Sequence, residues 1–133
     1  MIDMRDISHV TVQEDKKSAI VGGGILLGKV AAELSKVNLA TAIGTIPFVG
    51  YAGWSMYGGY GPFSSNYGLG LDNIVGAKVV NSKGEVVDAN EKMLKGIRGA
   101  GGFIGILVEL TIKTYPLEGV SVVALQYILT QLC

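Results

Sequence analysis

A chain of 133 residues, 49% of them hydrophobic, is long enough to bury the core of one domain. Eleven Lys and Arg balance eleven Asp and Glu, and this zero net charge excludes a basic footprint for nucleic acid and a charge-driven disordered chain. The one cysteine, Cys133, is the last residue and His9 is the one histidine, which excludes an intrachain disulfide and a Cys/His zinc centre.

The first residues, Met1-Ile2-Asp3-Met4-Arg5-Asp6, lack the apolar core of a signal peptide, and the chain has no Asn-x-Ser/Thr sequon. A cytoplasmic protein is expected. Residues 7–13 read as a strand, 14–17 as a polar turn and 18–21 as the return strand of a hairpin. The run Gly22-Gly23-Gly24 then opens a helix with Leu26, Leu27, Val30, Ala31 and Leu34 on one face and Lys29, Glu33 and Lys36 on the other. Asn38 stops it.

Between Lys36 and Asp72 lie 35 residues without a charge. Eight glycines and two prolines interrupt the run, so it cannot keep a membrane-spanning backbone hydrogen-bonded. Seven of the ten aromatics stand here, and Phe48, Tyr51, Trp54, Tyr57, Tyr60 and Phe63 recur at every third residue, followed by Tyr67. Flat rings beside bare backbone make either ordinary core packing or a slot for a planar ligand, since glycine lets main-chain N–H groups come close. Residues 50–57 suit a short helix, broken by Gly61-Pro62.

Downstream, 74–81 and 85–89 flank the turn Asn81-Ser82-Lys83-Gly84 as a hairpin. Asn90 caps a short helix over 91–97, and Arg98-Gly99-Ala100-Gly101-Gly102 ends it. Residues 105–115 form the clearest strand, with Ile106, Val108, Leu110 and Ile112 expected on one face and Leu107, Glu109, Thr111 and Lys113 on the other. Pro116 stops it, and 120–129 read as another strand. Hairpin connections rather than helical crossovers favour an α+β class: a mainly antiparallel sheet flanked by a few helices.

The side chains that carry chemistry are sparse. His9 has no nucleophile signature near it, Asp72-Asn73 reads as a turn or cap pair with an acid/base role as the lesser reading, and Arg98 ties a helix end to a loop. Tyr57, Tyr60 and Tyr67 are packing residues of which one can present a hydroxyl to a ligand. Among these, Tyr57, Tyr60 and Asp72 are the catalytic candidates.

Five stretches then match a known family in order. They are Ala19-Ile20-Val21-Gly22-Gly23-Gly24; Gly44-Thr45-Ile46-Pro47-Phe48-Val49-Gly50; Tyr57-Gly58-Gly59-Tyr60-Gly61-Pro62 with Tyr67-Gly68; Asp72-Asn73 leading to Val79-Val80; and Ile97-Arg98-Gly99-Ala100-Gly101-Gly102 into the strand from Gly105. On these residues the chain resembles the second lobe of the FAD-binding domain of berberine-bridge-like oxidoreductases, in the vanillyl-alcohol-oxidase fold group. The resemblance implies a lobe over 1–117, with 118–133 as a divergent strand or tail. It implies FAD contacts by Thr45, Val49, Gly50 and Gly53 near the flavin and pyrophosphate. Gly58, Gly59 and Gly61 would continue that wall, and Ile106 would approach the adenine side. Covalently flavinylated members carry Cys where Ile46 stands, so FAD is expected to bind non-covalently. Where many members have three glycines, this chain has Tyr57-Gly58-Gly59, which aims a phenol toward the flavin space.

The family's phosphate-gripping lobe and substrate domain would lie outside this sequence, so it is expected to be truncated at both ends and to bind FAD weakly or not at all. Three readings follow: an FAD-linked oxidoreductase component of specialised metabolism; a cofactor-free cyclase or isomerase using Trp54, Tyr57, Tyr60 and Phe63 as an apolar pocket; or a non-catalytic interaction module. The expected partners are a small apolar or aromatic molecule and a second copy of the chain, with no nucleic acid and no membrane.

Overall fold

The structure, a computed structural model, describes residues 1–119. The expected strand at 120–129 lies outside them, as does the expected tail beyond Gly119. The elements run β1 (Val10–Val12), β2 (Ser18–Gly22), α1 (Leu27–Ser35), β3 (Leu39–Ala40), α2 (Tyr51–Met56) and α3 (Ser64–Tyr67). A 3-10 turn (Gly70–Asn73) leads into β4 (Ile74–Val80), β5 (Val86–Asp88) and α4 (Glu91–Ala100). A second 3-10 turn (Gly101–Phe103) leads into β6 (Ile106–Lys113) and β7 (Tyr115–Pro116). Five strands form one sheet in the order β1-β2-β6-β4-β5, every neighbouring pair antiparallel, and β3 pairs with β7 in a second ladder. This is the α+β class that the hairpin pattern predicts.

The sheet buries one face under the helices. Ala19 and Val21 of β2, Leu110 and Ile112 of β6, and Ala77 and Val79 of β4 meet Leu27, Val30 and Leu34 of α1, Tyr51 and Met56 of α2, and Ile97 of α4. The three α1 residues sit at i, i+3 and i+7, the spacing of one helix face. Asn90 caps α4 by accepting from Met93 N at 3.0 Å. Regular helix ends at Ile97, because Arg98 (ψ 80°) and Gly99 (φ 125°) leave the helical region. Asn38 takes a left-handed φ of 57° just past α1.

Three expectations need correction. Strict alternation fails in β6, where Leu107 rather than Val108 joins Leu110 and Ile112 in the core. Lys78 pairs with Glu109 while the next residue, Val79, pairs with Leu107, so Val108 is an extra residue and the pleat changes phase there. Pro116 does not end pairing, since it sits opposite Leu39 in the β3–β7 ladder. The glycine run 22–24 lets the N-terminal segment cross over it rather than simply opening α1. A Cβ on Gly24 would stand 1.7 Å from the Met4 carbonyl oxygen, and one on Gly22 would stand 2.3 Å from that of Ile7.

The other face of the sheet carries a charged row. Glu109 lies 3.3 Å from Lys78 Nζ and 3.3 Å from His9 Nε2, which places the lone histidine in a surface pair. Among the described residues no helix is long and apolar enough to cross a membrane.

Candidate functional site

The charge-free run folds into a loop, 44–50, followed by α2 and its turns. The loop is anchored from behind by main chain. Gly28 N–H donates to Pro47 O at 3.0 Å and Leu27 N–H to Val49 O at 2.9 Å, while Tyr51 N–H reaches Ile25 O at 2.9 Å. The first turn of α1 thereby finds acceptors for donors that a helix start leaves unpaired. With its backbone tied inward, the loop turns its side chains out: Ile46 is 58% exposed, Phe48 82% and Val49 39%, and Thr45 and Gly50 are exposed too.

Helix α2 continues this face. Tyr51, Ala52, Ser55 and Met56 are buried, so Gly50, Gly53 and Tyr57 share the outward side. The Tyr57 ring is 57% exposed, and its hydroxyl oxygen accepts from Gly102 N–H at 3.2 Å. That contact joins α2 to the second 3-10 turn, where Phe103 is 90% exposed. Beyond Gly102 opens a groove of about 340 Å³ lined by Val80, Asn81, Ser82 and residues 102–106, Ile106 included. An uncharged surface therefore runs from Ile46 past Gly53 and Tyr57 to Ile106. At one edge the bridge between Gly50 and Leu26 leads to a hollow that also holds Arg5, Lys29 and Ser8, where Lys29 Nζ donates to Ser8 Oγ at 2.9 Å.

The glycines divide into two kinds. Gly59 and Gly61 are buried and used internally: a Cβ on Gly61 would fall 1.8 Å from Ile43 O, and one on Gly59 2.7 Å from Gly70 Cα. Gly58 has a left-handed φ of 118° with open space beside it. Gly50 and Gly53 differ from all three. A Cβ at either would meet nothing within 4 Å, and neither has a positive φ. The protein's own packing makes no demand for glycine there, and Gly53 in a helix costs about 1 kcal/mol relative to Ala. Such a residue suits a surface that another molecule's atoms must approach closely. An extended dinucleotide, with a flat ring system and many acceptor oxygens, fits bare backbone flanked by exposed apolar side chains.

The structure does not gather the expected apolar pocket. Trp54 is half-buried against Tyr51, ring centroids 5.7 Å apart, and its Nε1–H donates to Tyr60 O at 3.2 Å. The Tyr60 ring is 80% exposed. Phe63 lines a separate small apolar cavity with Leu34, Leu39, Ile43 and Leu117, which none of Trp54, Tyr57 and Tyr60 shares. Nor are the three catalytic candidates linked to one another by hydrogen bonds among the described residues. Tyr57 is engaged by Gly102, and Asp72 Oδ2 accepts from Leu69 N–H at 3.0 Å as the cap of a 3-10 turn.

Behind the face lies a polar staple that the sequence pattern does not reveal. Buried Asn73 donates from Nδ2 to Tyr67 O at 2.9 Å and Leu69 O at 2.8 Å, and its Oδ1 accepts from Tyr115 O–H at 2.9 Å. The Tyr115 ring stacks on Tyr67 with centroids 4.2 Å apart and planes within 2°. Burial, helped by Tyr67 and Asp72, pushes the Tyr115 phenol above its ordinary value. Burial raises the Tyr51 phenol much further, and its O–H donates to Ala42 O at 3.3 Å. Both rings are neutral posts that support the face. Arg98 holds the far side by donating from Nε to Ile74 O at 3.0 Å. Sequence reading misses the Arg5–Leu26–Lys29 edge, which the N-terminal crossing assembles, and Phe103, which the turn after α4 brings beside residues 80–82, since no spacing rule relates such distant residues.

Comparison with known proteins identifies the family. A family described as "FAD binding domain" matches residues 1–90. FAD-linked oxidoreductase aurO of Gibberella zeae is 39% identical over 122 residues, covering 90% of this chain and 24% of that protein. (R)-6-hydroxynicotine oxidase of Paenarthrobacter nicotinovorans is 32% identical over 121 residues, covering 88% of this chain and 26% of its own length. Among solved structures, wild-type BBE-like 1 of Physcomitrella patens superposes with a TM-score of 0.80 at 34% identity, over 85% of this chain and 26% of that one. The chain spans about a quarter of the length of the curated relatives it matches.

Proposed function

Because the chain belongs to the FAD-binding domain family of the berberine-bridge-like oxidoreductases, we propose that its uncharged face is one wall of an FAD site in an FAD-linked oxidoreductase. The observation that carries this reading is Gly53: exposed, mid-helix, with ordinary backbone and open space where a side chain would stand. Residues 45–50 and Gly53 would take the flavin end, and the groove at Ile106 the adenine end. FAD, when bound, supplies two-electron chemistry toward a substrate. The chain's own part is to offer backbone donors, exclude water along one side of the cofactor and hold its flat ring against Ile46, Phe48 and Val49. Ile46 has no thiol, so the loop binds without a covalent link.

The wall by itself supplies one side of a cofactor site and few phosphate contacts. The same exposed apolar residues form a patch of a kind that a soluble monomer seldom leaves bare. We therefore also propose that a second copy covers the wall, and that the oxidoreductase works in specialised metabolism on a small apolar or aromatic molecule. The separation of Phe63 from Trp54, Tyr57 and Tyr60 favours no pocket for a cofactor-free cyclase.

Fluorescence titration with FAD tests the reading. The protein should quench FAD fluorescence saturably. Gly53→Val adds atoms only to the open side of α2, so it should keep the far-ultraviolet circular dichroism and weaken FAD binding by about tenfold, or 1.4 kcal/mol. Equal binding by the variant, or no saturable binding by any form of the protein, would remove the wall assignment.

A further inference from the structure

We propose that Tyr57 is a gate on the dinucleotide path: its phenol stands in for a ligand oxygen on Gly102 N–H, and an extended ligand must displace it. This rests on the FAD-wall reading and goes beyond it, since it concerns a side chain that narrows the wall.

The two ends of the wall meet at Tyr57. Gly50, Gly53 and Tyr57 follow one another along the outward side of α2, and the next group beyond the Tyr57 hydroxyl is Gly102, the first residue of the groove that ends at Ile106. A ligand touching both the loop at 45–50 and the groove at 102–106 must pass the position of the Tyr57 ring. That ring is more than half exposed, so little core packing holds it in place. What holds it is the hydrogen bond from Gly102 N–H at 3.2 Å.

Gly102 is shaped for this contact. A Cβ there would lie 2.7 Å from the Tyr57 hydroxyl oxygen, so any side chain would push the phenol away. With the phenol in place, an exposed backbone donor is satisfied by an oxygen from the protein itself. With the phenol swung out, the donor is free for an oxygen of a phosphate or ribose. The residues after Tyr57 leave room for the swing. Gly58 (φ 118°) and Gly59 (φ 79°) hold the chain in conformations that cost other residues dearly, and Gly58 has open space beside it. The swing is a rotation of the Tyr57 side chain about its own bonds, because Gly58 O accepts from Leu71 N–H at 3.1 Å and Gly59 O from Gly70 N–H at 2.8 Å, which hold the backbone after it in place.

The gate sets a specificity as well as an affinity. A ligand confined to the loop end, such as riboflavin, never reaches Gly102 and is indifferent to Tyr57. FAD reaches it and must break the Tyr57–Gly102 bond first, so its apparent affinity is its intrinsic affinity multiplied by the fraction of molecules in which the gate stands open.

Titrations of the 133-residue protein with FAD and with riboflavin, read by fluorescence, test this in wild type, Tyr57→Gly and Tyr57→Phe. Glycine is well tolerated where a helix ends, which is where Tyr57 sits. Tyr57→Phe keeps the ring and removes only the hydroxyl, and circular dichroism checks both folds. Tyr57→Gly should bind FAD at least about tenfold tighter than wild type, with riboflavin affinity unchanged within about twofold. Tyr57→Phe should fall between the two for FAD. In a ¹H–¹⁵N spectrum, the Gly102 amide of the wild type should shift when FAD is added and stay put when riboflavin is added.

Unchanged or weaker FAD binding in both variants would overturn the gate and leave the wall standing. Equal tightening for FAD and riboflavin would also overturn it, by placing Tyr57 at the flavin end. Failure of every variant to bind any flavin would bring down the wall reading and the gate with it.

Discussion

Asn73 shows how much a single buried amide can hold. Its side chain pins the carbonyls of Tyr67 and Leu69, which belong to the turns behind the wall, and receives the hydroxyl of Tyr115 from β7, 42 residues away. Its removal takes the amide partner from the Tyr67 carbonyl and the Tyr115 hydroxyl, while Leu69 O keeps the Asp72 N–H at 3.1 Å. Asn73→Ala should therefore destabilise the fold by about 3 kcal/mol, from lost hydrogen bonds and unpaired buried groups. Urea denaturation measures it, and a loss below about 1 kcal/mol would mean that water replaces the amide. Tyr67-Gly68 and Asp72-Asn73 are legible in the sequence as turn residues. The staple is not, because nothing in local spacing tells Asn73 which ring will arrive from the C-terminal side. Asp72 shows the converse: its reading as a cap follows from short-range chemistry, and its carboxylate sits on Leu69 N–H.

At the scale of elements, α2 and the turn that follows it put glycine to two opposite uses. Gly53 faces outward with nothing near it, and Gly61, past the end of the helix, is closed in by Ile43. Gly53→Ala should stabilise the protein by about 0.5–1 kcal/mol through the ordinary helix preference for alanine. Gly61→Ala should cost more than about 2 kcal/mol, since its Cβ and a carbonyl oxygen cannot share that space. Thermal unfolding of the pair decides the matter, and the same sign for both would erase the distinction between ligand-facing and self-packing glycine. The sequence marks all these glycines alike as a Gly-rich run, and the strands themselves show the limits of counting. The 74–81 and 85–89 hairpin and the helix at 91–97 are legible because turn and cap residues act on their immediate neighbours. The inward set of β6 is not, since the extra residue at Val108 is a property of its pairing with β4 rather than of β6.

For the whole molecule, the outstanding property is an apolar wall with no partner among the described residues. Ile46, Phe48, Val49, Tyr57 and Phe103 present hydrophobic atoms to water on one side of the fold. Self-association through this wall predicts a sedimentation coefficient that rises with protein concentration, and Phe48→Asp should hold the chain monomeric by placing a charge inside the contact. Monomeric sedimentation of the wild type at every concentration would exclude the second copy as the cover.

Sequence alone determined what depends on residues close together along the chain: the antiparallel hairpins, the Asn90-capped helix, the charge-free middle, and a family likeness carried by ordered glycine motifs. Tertiary structure decided everything that required distant residues to meet. The N-terminal crossing over Gly22 and Gly24, the bulge in β6, the Tyr67–Tyr115 stack and the Tyr57–Gly102 bond each join segments between about 15 and 50 residues apart. Local propensity and periodicity are short-ranged. Which glycine faces out, and which ring stands in the path of a ligand, depends on the packing of the complete chain.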